Sequence, residues 1–257
     1  AGLSRGLGDV YKRQRLRFAA TNKNPSFEER LDYALDSRAN LNNSGEKLHD
    51  FNSNVVLEEI KEGPVKIYKF IPPNSSKEKY GIYFHGGGYF AGSITSHKNL
   101  ISQISNDSNL IIYFFEYRLS PEYNFPSAHE DAKLAVDFIN TLHPDHQSIW
   151  IGESAGGGLA TGLVVDKEYL EKPDNLILLS PWLDLSDGFE DKKFFKNSDV
   201  TIIIEGMFEV GEFYAGDYGA KNPILSPVYA DVDNFPDVLI QVCTEELLYN
   251  DAVEFVK

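Results

Sequence analysis

From Leu110 onward, short apolar runs alternate with stretches of helical periodicity, and this alternation restricts the fold more than any single residue does. Leu110 to Tyr117 reads as a strand. Ala128 to Leu142 reads as a helix with Ala132, Ala135, Val136, Ile139 and Leu142 on one side, and Ser148 to Ile151 as a short strand. Ala155 to Val165 follows as a helix of small residues, then Asn175 to Leu179 and Val238 to Cys243 as strands, with a helix starting near Asp251. Strands separated by helical crossovers form a mostly parallel sheet with helices on both faces, an α/β fold. Upstream, Val65 to Ile71 and Tyr80 to Phe84 are strand-like. The turn residues Pro72-Pro73-Asn74-Ser75-Ser76 between them predict an antiparallel hairpin. Pro25 to Leu41 reads as a helix and Asn42-Asn43-Ser44-Gly45 as a loop. The stretch from Leu183 to Asn222 breaks the alternation. It is rich in aromatic residues (Phe189, Phe194, Phe195, Phe208, Phe213, Tyr214, Tyr218), and a long insertion between sheet strands is commonly a lid or binding surface.

Bulk properties exclude several partners. The 257 residues amount to one large domain, and 24 Lys+Arg against 39 Asp+Glu give a formal net charge of −15. An acidic surface repels phosphate backbones, so neither nucleic acid nor an anionic membrane is an expected partner. Cys243 is the only cysteine, which rules out an intramolecular disulfide, and its apolar run predicts a buried small residue. No apolar run approaches the ~18 residues of a membrane span. Ala1 to Ala20 lacks the apolar region of a signal peptide, so a cytoplasmic location is expected. Nothing in the sequence calls for a metal or another cofactor.

Two glycine-rich turns carry the chemistry. Gly152-Glu153-Ser154-Ala155-Gly156 matches G-x-S-x-G, which chance supplies in about one of every ten chains of this length. Its position gives it force, because it joins a predicted strand to a predicted helix. A serine on such a turn projects its hydroxyl above the sheet at a helix N-terminus, where backbone N–H groups and the helix dipole favour developing negative charge. His85-Gly86-Gly87-Gly88 directly follows the strand Tyr80 to Phe84. Three glycines let N–H groups converge on one spot, as an oxyanion hole requires.

Together these motifs resemble the hormone-sensitive lipase family of α/β-hydrolases, in its microbial carboxylesterase branch. The likeness continues through Tyr117-Arg118-Leu119-Ser120-Pro121-Glu122, Phe125-Pro126-Ser127-Ala128-His129-Glu130-Asp131-Ala132, Ser180-Pro181-Trp182-Leu183-Asp184-Leu185 and Leu225-Ser226-Pro227-Val228-Tyr229-Ala230-Asp231, in that order. The resemblance implies an α/β-hydrolase fold with a helical cap. It also implies Ser154 as the nucleophile, and the N–H groups of Gly87, Gly88 and Ala155 as the oxyanion hole. The triad acid falls after the strand ending at Cys243, and the register of Glu246-Leu247-Leu248-Tyr249-Asn250-Asp251 favours Glu246 over Glu245.

In this fold the triad order is Ser, acid, His. All six histidines (His49, His85, His97, His129, His143, His146) precede Ser154, so the catalytic histidine is not present in this chain. The expected layout is a cap segment over residues 15–50 and a catalytic domain over 51–257, with a cap insertion at about 183–222. The last strand and helix of the fold are expected to be missing at the C-terminus. Residues 1–14 include Asp9-Val10-Tyr11-Lys12-Arg13-Gln14, which resembles the translation of a sequencing-library adapter and is expected to be non-native. The implied activity is serine hydrolysis of small-molecule esters with short to medium acyl groups through an acyl-enzyme. Deacetylation of sugars or small molecules, or a non-catalytic ligand-binding role on the same fold, are the alternatives.

Overall fold

The computed structural model describes residues 27–47, 50–61, 63–186, 199, 204–231 and 235–257. The elements in chain order are α1 (Phe27–Gly45), β1 (Val56–Ile60), β2 (Lys66–Ile71), β3 (Lys79–Phe84), α2 (Ile94–Ser108), β4 (Ile111–Glu116), α3 (Ser127–Thr141), β5 (Gln147–Glu153), α4 (Ala155–Val165), β6 (Asn175–Leu179), α5 (Ile204–Ala215), β7 (Asp237–Gln241) and α6 (Tyr249–Phe255). The strands form one seven-stranded sheet in the order β1-β2-β4-β3-β5-β6-β7. β1 and β2 are antiparallel to their neighbours. All pairings from β4 through β7 are parallel.

The central strands are apolar along nearly their whole length because helices cover both faces of a parallel sheet. In β3, Tyr80, Ile82, Tyr83 and Phe84 are all buried. One face packs Ile82, Phe84, Tyr113, Phe115 and Trp150 against α3 and α4. The other packs Phe70, Tyr83, Ile112 and Phe114 against Ile101 of α2. Helix α3 starts just after Pro126, carries Glu130 in its first turn, and buries the alanine-rich stripe Ala128, Ala132, Ala135 with Val136 and Ile139. Helix α4 has almost no outside, for every residue from Ala155 to Val164 is buried.

Several expectations need correction. β2 and β3 do not form a hairpin. Both edges of β3 are taken by parallel neighbours, β4 and β5, so β2 pairs instead with the far edge of β4. The Pro72–Ser76 turn closes against the end of α2, with Ser76 N–H donating to Asn109 O at 2.8 Å. Asn42 to Gly45 is not a loop but the last turn of α1, held by its approach to Ser96 and by Asn42 Oδ1 accepting from Gly92 N–H at 3.2 Å. Cys243 is exposed rather than buried: it lies two residues past β7, which is last in the sheet order and leaves Leu239 62% exposed. The sequence reading also passed over β1 and α2. Phe189, Phe194, Phe195, His49 and residues 1–26 lie outside the described residues.

Candidate active site

The parallel strands deliver three successive loops to one end of the sheet, their carboxyl ends, where open α/β sheets bind ligands. Ser154 follows β5, Ser180 follows β6, and Glu246 lies beyond β7. These loops are laced together. Ser154 N–H donates to Leu179 O at 3.0 Å, and Ser180 N–H donates to Gln241 O at 2.7 Å. Trp182 N–H donates to Ser154 O at 2.9 Å.

Ser154 has φ 49° and ψ −122°, a region a non-glycine residue enters only under constraint. Such strained backbone clusters at functional sites. Packing imposes it here. A Cβ on Gly156 would stand 2.1 Å from Phe84 O, and one on Gly152 would stand 2.7 Å from Gly157 Cα. The helix can therefore start hard against the strand ends, with Ala155 N–H in its first turn.

The second loop, Gly86 to Gly92, leaves β3 beside this elbow. Gly87 (φ 113°) and Gly88 (φ 61°) occupy left-handed backbone, and a Cβ on Gly87 would lie 2.3 Å from Ala91 O. The loop closes on itself through Ala91 N–H to Gly87 O at 2.9 Å. Gly86 is gripped at both ends. Its N–H donates to Glu153 Oε1 at 3.1 Å, and its C=O lies 2.8 Å from His85 Nδ1. That second contact requires the proton on Nδ1, leaving Nε2 bare. Burial pushes His85 down to about 3, so the ring is neutral, stacked 4.0 Å from Tyr117. The Tyr117 hydroxyl donates to His85 O at 2.8 Å, consistent with a structural role for this histidine.

Glu153 went unnoticed in the sequence reading, as the variable position of its motif. Its Oε1 also meets His97 Nε2 at 2.5 Å. Burial raises the Glu153 carboxyl, but His97, the Gly86 N–H and Tyr83 outweigh it and hold it at about 2. Nothing local in the sequence marks Glu153, because its partners come from other strands and helices.

Two further elements frame the loop. Arg38 of α1 donates to Phe90 O at 2.7 Å and Ser120 O at 2.8 Å, and pairs with Glu122. From α5, within the aromatic insertion, Tyr214 stacks 4.0 Å from Tyr89, and Val210 Cγ1 lies 4.0 Å from where a Gly88 Cβ would be.

Glu246 and Glu245 are separated by environment. Glu245 is exposed, whereas Glu246 is partly buried with Oε2 enclosed and, among the described residues, without a hydrogen-bond partner. The turn around Glu246 is fixed by its N–H to Cys243 O at 3.2 Å and by Leu247 N–H to Asp199 Oδ2 at 2.9 Å. Behind it, Asp251 of α6 accepts from Leu183 N–H at 3.2 Å and Asp184 N–H at 3.1 Å. The described histidines are all engaged elsewhere: His97 with Glu153, His129 between Phe125 and Tyr214, His143 with Tyr113, and His146 with Pro144 O. Among the described residues no group of three or more His, Cys, Asp or Glu could hold a metal ion. Nor is any helix among them long and apolar enough to cross a membrane.

A mostly parallel sheet carrying a serine on a strained strand-to-helix turn, with a glycine loop at its side, defines an α/β-hydrolase. The model of the alpha/beta hydrolase fold family matches residues 81–257, and the chain belongs to that family, among its members of the hormone-sensitive lipase type. It is similar to an esterase of Acinetobacter venetianus, 28% identical over 191 residues, covering 72% of this chain and 62% of that one. It is likewise similar to an acetyl-hydrolase of Streptomyces hygroscopicus, 30% identical over 174 residues, covering 66% of this chain and 58% of that one. The chain thus spans less than two thirds of either relative. Among solved structures, it matches an esterase of the bacterial hormone-sensitive lipase family with a TM-score of 0.83 and 25% identity, over 99% of this chain and 82% of the other.

Proposed function

We propose that this chain carries the active site of a serine carboxylic-ester hydrolase acting on small-molecule esters with short to medium acyl groups. The observation that carries the reading is the strained backbone of Ser154 at the junction of β5 and α4, beside the glycine loop after β3. In the proposed mechanism the Ser154 hydroxyl attacks the ester carbonyl. The N–H groups of Gly87, Gly88 and Ala155 receive the developing oxyanion, where fixed donors act without reorganising. The alcohol leaves, an acyl-Ser154 ester remains, and water hydrolyses it in a second, mirrored step. Glu246 orients the base, and its enclosed Oε2, without a hydrogen-bond partner among the described residues, supports that role.

The base in this mechanism is a histidine after Glu246 in chain order, which these 257 residues do not contain. Acting alone, they hold a serine that keeps its proton at neutral pH, and turnover is expected to be poor. The intact elbow supports catalysis over ligand binding alone, and the acetyl-hydrolase relative supports the short end of the acyl range.

The test is a fluorophosphonate probe applied to the longest native chain that contains these residues. One adduct on Ser154 is expected, and labelling that survives Ser154→Ala refutes the assignment. The same substitution should lower kcat by a factor on the order of 10⁶.

A further inference from the structure

The glycine loop can serve as an oxyanion hole only if its N–H groups are aimed before substrate arrives. Glycine itself cannot aim them, because it is the least restrained residue. The restraint at the loop's entry comes from a side chain on another strand. Glu153, the last residue of β5, reaches across to β3 and takes the Gly86 N–H on Oε1 at 3.1 Å. The fit is close, since a Cβ on Gly86 would stand 3.1 Å from that same oxygen.

Glu153 is restrained in turn. Its Oε1 meets Nε2 of His97, a buried residue in the first turn of α2, so that nitrogen carries the proton they share. His97 Nδ1 faces Ser96 Oγ at 2.8 Å and Ser93 O at 3.2 Å. The His97 ring lies among Tyr83, His85 and Phe114, with centroids 5.5 to 6.2 Å away. The chain of contacts therefore runs from α2 through His97 and Glu153 to Gly86. The peptide units after Gly86 belong to Gly87 and Gly88, and Glu153 is also bonded directly to Ser154. One carboxylate thus couples the loop that would supply the donors to the residue that would supply the nucleophile.

We propose that Glu153 and His97 are positioning residues, a paired strut that fixes the glycine loop relative to Ser154. Neither touches substrate. This inference rests on the ester-hydrolase reading for its catalytic consequence, but its structural part stands apart from it.

The test compares His97→Leu, His97→Gln and Glu153→Gln with the unsubstituted protein. Glutamine at 97 places an amide N–H where Nε2 stands, whereas leucine keeps the volume and removes the donor. Amide hydrogen exchange over residues 84–92, in protein without substrate, reads the loop directly. Exchange there should rise about tenfold in His97→Leu and Glu153→Gln and far less in His97→Gln, with β5 and β6 unchanged. On p-nitrophenyl acetate, in the longest native chain that contains these residues, the same two variants should lose about 10²-fold in kcat with KM little altered, as for a misplaced catalytic group. Unaltered exchange in His97→Leu and Glu153→Gln overturns the proposal, as does His97→Gln behaving like His97→Leu. If Glu153→Gln loses protection throughout the sheet, the two His97 variants decide. If the longest native chain that contains these residues neither cleaves esters nor takes the fluorophosphonate, the hydrolase reading fails, and the exchange contrast still decides the strut.

Discussion

Replacing Asp251 by alanine should destabilise the protein by about 2–4 kcal/mol. Asp251 is fully buried, and its Oδ2 accepts from the N–H groups of Leu183 and Asp184, two residues that are themselves fully buried. Alanine strands both donors in a dry interior, where each unsatisfied N–H costs about 1–3 kcal/mol. Removing the carboxylate also relieves its own desolvation, which keeps the total in the lower part of the summed range. For a chain of this size each kcal/mol moves Tm by about 2–4 °C, so the midpoint should fall by roughly 5–15 °C. Asparagine keeps an acceptor oxygen in place and should cost much less. Urea unfolding followed by tryptophan fluorescence measures both variants. The reasoning is refuted if Asp251→Ala costs under about 1 kcal/mol, the ordinary effect of losing a typical hydrogen bond. It is also refuted if Asp251→Asn costs as much as alanine, because charge rather than acceptor geometry would then be holding the loop.

Three other outcomes are expected. Glu246→Gln should lower kcat by orders of magnitude by favouring the wrong tautomer of the base, while Glu245→Gln should cost little; the reverse ranking in ester-hydrolysis kinetics moves the acid by one residue. Among p-nitrophenyl esters, acetate to hexanoate should be cleaved faster than dodecanoate, because α5 crowds the glycine loop, and a monotonic rise in kcat/KM to palmitate would contradict this. Stability should fall as pH drops below the ordinary histidine value near 6.5, because His85 and His129 are both held by burial at about 3. The unfolded chain takes up those protons first, so each histidine contributes a loss of about 1.4 kcal/mol per pH unit until its folded-state value is reached. Urea midpoints that stay level between pH 7 and pH 5 would show that these two rings are not neutral in the folded protein.

The elements that sequence disclosed were those whose burial is apolar and periodic. Ala155 to Val165 and Asn175 to Leu179 agree with α4 and β6, and the strand at Leu110 differs from β4 only at its ends. Helix α2 was invisible because its buried face consists of His97, Asn99, Ser102 and Ser105 with only Ile101 among them, a pattern that hydrophobic periodicity does not register. The false hairpin arose because a short turn states only that the chain reverses. Which strand fills the space beside β3 is decided by crossovers far along the chain. At the site, Ser154 and the glycines are legible because their backbone demands are local. Glu153 and His97 are not, since their meaning depends on a contact between residues 56 positions apart.

Helix α4 has one more implication. Gly156, Gly157, Gly158 and Gly162 each disfavour a helix by about 1 kcal/mol relative to alanine, so as a peptide this segment would be a random coil. It is helical only inside a socket made by Phe84 O, Pro181, Trp182 O and Ile224 O, groups drawn from well-separated parts of the chain. The turn that carries Ser154 is therefore not a module that a partly assembled chain could display. Its geometry depends on those distant parts being in place together, so chemistry at Ser154 doubles as a gauge of whether they have assembled.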